Sequence, residues 1–110
     1  FVAEVNFTRE DFPPDKRAWL KYSVWVFNPF FDHSSGIVMW VGNSDGTKEW
    51  FNVPLRFKDS AGENWYQFEN YLEINPSELS PSDKIKAYIW NPRGAHIWVD
   101  ELKTEILIER

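Results

Sequence analysis

The strongest constraint on this chain is an alternation of apolar and polar residues at every second position, which is the period of a β-strand. The alternating segments are residues 1–7, 19–27, 37–42, 50–57, 65–74, 84–91 and 96–108. Residues typical of turns, mainly Gly, Pro, Asn and Asp, separate them, and the only helical turn we predict is at 76–79. Short strands at this spacing predict an all-β fold, an antiparallel sandwich of two sheets.

The length and charge of the chain narrow the classes of protein to consider. Its 110 residues can form one hydrophobic core, so we predict a single domain over 1–110, excised from a longer or processed chain. A net charge of −5 and a pI near 5.0 disfavour binding to nucleic-acid phosphates or to an anionic membrane surface. No apolar run approaches the roughly 20 residues that span a bilayer, so we predict no membrane insertion.

Alternation also predicts which side chains are buried between the sheets. In each segment, one set of alternate positions (one phase) is apolar, and the other set is mostly polar or tryptophan. The predicted core residues are Phe1, Ala3, Val5, Phe7, Leu20, Tyr22, Val24, Val26, Ile37, Met39, Val41, Phe51, Val53, Leu55, Phe57, Phe68, Leu72, Ile74, Ile85, Ala87, Ile89, Ile97 and Val99.

The last segment changes phase part of the way along. Ile97 and Val99 share one phase, whereas the apolar residues from Leu102 to Ile108 share the other. A β-bulge at Asp100-Glu101 inserts one residue and would keep both sets directed inward. We therefore predict a bulge there.

Tryptophan is unusually frequent, and its positions suggest a function. All seven Trp fall in the phase opposite to the aliphatic residues, so we predict that they point away from the core. A flat indole ring packs well on the apolar C–H face of a sugar ring, while polar neighbours bind the hydroxyls. The predicted carbohydrate-binding residues are Trp25, Trp40, Tyr88 and Trp90, with Asn91 and Arg93 beside them. Alternatively, loops or a partner domain cover the rings, or the rings only stabilise the sheets as cross-strand pairs.

Other kinds of site have weaker signals. Asp100 and Glu101 could donate carboxylate oxygens to a structural Ca²⁺, although two solvated surface acids would have the same sequence. Residues 43–46 read as a hairpin turn. His33 and His96 have no nucleophile at an informative spacing, and the chain has no cysteine. We therefore predict that the domain is not an enzyme and requires no cofactor, with Asp100 as the one candidate metal ligand.

Two stretches near the end of the chain resemble a known superfamily. Residues 84–92 (KIKAYIWNP) and 96–102 (HIWVDEL) are similar to the closing strands of jelly-roll carbohydrate-binding modules, the galactose-binding-like β-sandwiches. The final strand of such modules often reads apolar-aromatic-apolar-Asp-Asp-apolar, and here Glu101 replaces the second acid.

Residues 19–27 also resemble the inner strand that precedes a loop in these modules, so the resemblance covers about half of the chain and carries several expectations. It implies a jelly-roll fold, and Asp100 matches an acid that often helps to hold calcium. It also implies a non-catalytic accessory domain that binds a polysaccharide or oligosaccharide, at the surface of a bacterial cell or outside it. The alternative is a structural or interaction domain of a larger surface or secreted protein, whose Trp faces pack on neighbouring domains or a partner.

Overall fold

The described residues fold mainly into β-strands. A computed structural model describes residues 2–27, 35–55, 65–94 and 97–110. The strands are β1 (Val2–Thr8), β2 (Ala18–Phe27), β3 (Gly36–Asn43), β4 (Gly46–Pro54), β5 (Trp65–Ile74), β6 (Lys84–Trp90) and β7 (Trp98–Ile108). The predicted helical turn is a 3-10 turn at Pro76–Glu78. No helix in these ranges is long and apolar enough to cross a membrane.

The strands form two antiparallel sheets packed face to face, which confirms the predicted all-β sandwich. The major sheet has the order β1-β6-β3-β4 and the minor sheet the order β5-β2-β7. A jelly roll contains eight strands in two Greek keys. Since the described residues form seven strands, jelly-roll connectivity stays a prediction.

The core lies between the sheets and is built mainly by the predicted phase of β2, β3 and β6. Tyr22 is fully buried, and its hydroxyl donates a 2.9 Å hydrogen bond to the carbonyl of Ala3. Burial raises the pKa of that hydroxyl. The buried cluster comprises Phe12, Ala18, Leu20, Tyr22, Val24, Val26, Ile37, Met39, Val41, Leu55, Leu72, Ile74, Ile85, Ala87 and Ile89.

The core prediction is wrong at two positions, on the edge strands β4 and β7. Phe51 on β4 is 49% exposed and Val99 on β7 is 39% exposed, although both lie in the inward phase. β5 packs against β3, and β4 lies outside β3 at the end of the major sheet. β4 can therefore keep the correct alternation although it lies beyond the strand that faces the minor sheet. Phe1 and Phe57 lie outside the described residues.

The predicted bulge in the last strand is confirmed. Ser23 pairs with Lys103, but Trp25 pairs with Asp100, so Glu101 and Leu102 together lie opposite one residue of β2. Glu101 has a φ of 51°, the left-handed conformation that accompanies such an insertion. The hairpin predicted at 43–46 is also confirmed, since Asn43 pairs with Gly46.

A buried carboxylate that sequence analysis did not single out ties the β3–β4 hairpin to the segment before β6. Asp83 is almost fully buried and forms an ion pair with Lys48. It also accepts hydrogen bonds from Asn43 Nδ2 (2.6 Å) and from the Ser80 amide (2.9 Å). The Lys48 ammonium, then the Ser80 amide, hold the pKa of this carboxyl well below its usual range.

Candidate functional site

The tryptophans lie outside the core, as predicted. Trp19, Trp25 and Trp40 are partly exposed, and Trp50, Trp65, Trp90 and Trp98 are exposed. Strand pairing places them on two surfaces, the outer face of the major sheet (the major face) and the outer face of the minor sheet (the minor face). Trp40, Trp50 and Trp90 are on the major face, and Trp19, Trp25, Trp65 and Trp98 are on the minor face.

The structure divides the predicted binding residues between these two faces. Trp40, Tyr88 and Trp90 lie on the major face, whereas Trp25 lies on the minor face, on the other side of the sandwich. Asn91 and Arg93 follow β6, and the side chain of Asn91 accepts a 3.0 Å hydrogen bond from Ser35 Oγ. The predicted residues therefore do not form one surface.

Aromatic side chains on the major face cover the sheet beneath them. Val38 lies on this outer face, yet it is 0% exposed. Trp50 and Trp90 lie in the rows on either side of it and meet edge to face, with ring centroids 6.2 Å apart. Tyr88, which pairs with Val38, is also buried. Val38 and Tyr88 are therefore covered, although Trp50 is itself 49% exposed and Trp90 is 37% exposed.

The protein itself also satisfies Trp40. Its indole Nε1 donates a 2.8 Å hydrogen bond to Thr47 Oγ1. The Lys86 ammonium lies 5.3 Å from the centroid of the ring, close enough for a cation–π contact. Both the polar atom and one face of this indole are thus occupied.

On the minor face, an aromatic row crosses all of the strands. Phe27 on β2 pairs with Trp65 on β5 and with Trp98 on β7. Its ring lies 5.7 Å from that of Trp65 and 5.8 Å from that of Trp98. Trp65 is 43% exposed and Trp98 is 52% exposed, so much of each indole is open to solvent.

The next row adds a third indole and two polar groups. Trp25 lies between Gln67 and Asp100. Trp25, Trp65, Asp100 and Glu101 line a shallow depression of about 300 Å³. We name Trp25, Phe27, Trp65 and Trp98 the aromatic platform. The hydrogen-bonding side chains of Gln67 and Asp100 lie beside its rings.

A band of charged side chains borders the platform. Lys21 lies between Glu69 (3.5 Å) and Glu105 (3.8 Å). Partial burial lowers the pKa of Lys21, but the nearby acidic groups outweigh this effect and raise its pKa overall. These ion pairs lie on the minor face beside the platform, in the rows of Lys21 and Ser23.

No cluster of metal-ligating side chains accompanies the platform within the described residues. No group of three or more His, Asp or Glu side chains there could hold a metal ion. Asp100 and Glu101 are exposed neighbours, and a calcium site at Asp100 stays a prediction. His33 and His96 lie outside the described ranges.

Trp65 and Trp98 are not among the binding residues predicted from the sequence, although the alternation places both on an outer face. The missing information was that both pair with Phe27. No known protein-family model matches this chain, and no curated protein is similar to it at a significant level.

Proposed function

We propose that this domain is a non-catalytic carbohydrate-binding module whose ligand stacks on the aromatic platform. The observation that carries the proposal is the side-by-side arrangement of exposed indoles, Trp65 and Trp98, on one face with Trp25. An indole face packs on the C–H face of a sugar ring. Gln67 and Asp100, which flank Trp25, supply hydrogen-bond partners for the hydroxyl groups.

The dimensions of the platform favour a saccharide of several rings. Neighbouring strands lie about 4.8 Å apart, so Trp65 and Trp98, two strands apart, are separated by roughly 10 Å at the backbone. A polysaccharide or oligosaccharide lying across the strands can contact both indoles. A ligand of this kind fits the extracellular or cell-surface location, in a bacterium, that the sequence resemblance implies.

Two tryptophan variants test this proposal. Trp98→Ala removes a platform ring, whereas Trp50→Ala removes a ring of similar exposure (52% and 49%) from the major face. Stacking is worth about 1–3 kcal/mol by analogy with base–aromatic stacking, which corresponds to roughly 5- to 150-fold in affinity. On a glycan array followed by titration with the best ligand, Trp98→Ala should lose affinity by this factor and Trp50→Ala should bind as the wild type does.

Two results would contradict the proposal. One is a wild-type protein that binds nothing across the array. The other is an equal loss of binding in the two variants, because a platform on the minor face does not involve Trp50.

A second candidate function, a structural or interaction domain, is favoured by the surface of β7. This edge strand exposes Val99, Leu102, Leu107 and Ile108. An edge strand with exposed apolar side chains is a surface on which another chain or domain can pack. A negative glycan array, together with a sedimentation coefficient that rises with protein concentration, would support this function instead.

A further inference from the structure

We infer that the aromatic platform selects a glycan with free amino groups, of the glucosamine type, over neutral N-acetylated or acidic glycans. The inference rests on the proposed function and names its ligand class. It follows from the depression in which two indoles, Trp25 and Trp65, lie beside two carboxylates, Asp100 and Glu101.

The bulge in β7 brings both carboxylates to one place. In a regular strand, consecutive side chains point to opposite faces of the sheet. Asp100 pairs with Trp25 and so belongs to the minor face, and Glu101, which follows it, would point towards the core side. The left-handed backbone at Glu101 interrupts the alternation, and its side chain lines the same depression as Asp100.

Among the described residues, no basic side chain neutralises these carboxylates. Lys21 is engaged by Glu69 and Glu105, and Lys103 also pairs with Glu105, at 3.6 Å. Within the described part of the chain, the side chains of the pair make one hydrogen bond, which Asp100 Oδ1 accepts from the Glu101 amide at 2.8 Å. As far as the described residues go, the depression thus carries uncompensated negative charge next to two indole rings, which disfavours uronic acids and sulfated sugars.

An amino sugar matches each of these features. Its ring offers a C–H face for stacking, and its ammonium group can lie over an indole, where the ring quadrupole attracts a cation. The same ammonium donates charge-assisted hydrogen bonds to carboxylates. N-acetylation removes the positive charge and thereby both of these contributions, while the C–H face remains.

The experiment compares oligomers of glucosamine and of N-acetylglucosamine of the same length by calorimetric titration. At a pH of about 6, the amino groups are protonated and ordinary carboxyl groups are ionised. At low salt, the wild type should bind the glucosamine oligomer at least about five-fold more tightly, the size expected of exposed cation–π and ionic contacts. In about 0.5 M NaCl, screening should reduce this preference.

Two double variants separate a local effect from the overall charge of the domain. Asp100→Asn with Glu101→Gln should bring the ratio of the two affinities close to one. Glu49→Gln with Glu78→Gln removes the same amount of charge from a separate groove and should keep the wild-type ratio. Equal affinities of the wild type for the two oligomers, or equal effects of the two double variants, would overturn the inference.

The failure of this inference can be distinguished from that of the proposed function. Suppose that Trp98→Ala weakens binding of the N-acetylated oligomer while the wild type shows no preference for the amino form. The proposed stacking on the platform is then supported, and the inferred preference for amino sugars is rejected. If the wild type binds neither oligomer, the preference for amino sugars is overturned, and the glycan array decides the proposed function.

Discussion

The two outer faces of this sandwich carry similar numbers of tryptophans, yet they use them differently. On the major face, the rings of Trp50 and Trp90 meet across Val38, which is fully buried. On the minor face, Trp65 and Trp98 stand beside Phe27 and keep much of their surface in solvent. The exposure of single rings does not separate the two faces, because Trp50 (49%) is as open as Trp65 (43%); the major face differs in that Val38 and Tyr88 are buried within it.

The central strands of the two sheets give a physical reason for this difference. β3 contains Gly36 and Gly42 on the major face, and side chains fill the space above them. A Cβ at Gly36 would lie 2.0 Å from Asn52 Oδ1, and one at Gly42 would lie 2.5 Å from Trp40 Cζ2. β2, the central strand of the minor sheet, contains no glycine, so each of its outward positions carries a side chain.

The largest expected effect contrasts a buried and an exposed aromatic residue. Tyr88→Ala empties a covered position on the major face and should cost about 3–5 kcal/mol of unfolding free energy. Trp98→Ala should cost less than about 1 kcal/mol because the ring is half exposed. Urea unfolding of both variants measures the difference; similar losses of stability would mean that the two faces are equally packed.

A second prediction concerns the buried carboxylate of Asp83, which pairs with Lys48 beside the major sheet. Because the pKa of folded Asp83 is depressed, its stabilising effect is complete above about pH 4, the usual pKa of an unfolded Asp, and is lost as the pH falls further. Asp83→Asn should therefore be less stable than the wild type at neutral pH, and this difference should shrink below about pH 4. Urea midpoints measured between about pH 7 and pH 3 test it.

The exposed Asp45, in the neighbouring turn, provides the control for that measurement. Asp45→Asn should follow the wild-type pH profile closely. A difference between wild type and Asp83→Asn that does not change with pH would contradict the role given to the Asp83 carboxylate.

The smallest expected effect tests whether the absence of a side chain at Gly42 lets Trp40 pack against the sheet. Gly42→Ala should destabilise the protein by about 1–3 kcal/mol, because the new methyl group would overlap the ring of Trp40 and the carbonyl of Gly46. Ser23→Ala, on the central strand of the minor face, creates no such overlap and is the matched control. If Gly42→Ala unfolds at the wild-type urea concentration, the space above Gly42 is not what lets Trp40 pack against the sheet.

Much of the fold follows from local pattern. Alternation placed Val24 and Ile89 in the core and all seven tryptophans outside it, because side-chain direction in a strand depends only on position along the strand. The change of phase after Val99 located the bulge for the same reason. The sequence by itself thus determined the all-β class, the approximate strands, the inner and outer faces, and the outward direction of the tryptophans.

Only the tertiary structure decided which of these outward residues lie together. Trp65 and Trp98 are far apart in the chain and meet through their pairing with Phe27, while Trp40 and Trp90 lie on the opposite side of the sandwich. The tertiary structure also leaves Phe51 exposed, although Phe51 lies at an inward position of its strand. It buries Asp83 and pairs it with Lys48. Strand order, register and the width of each sheet depend on contacts between distant segments, and alternation within one segment contains no information about them.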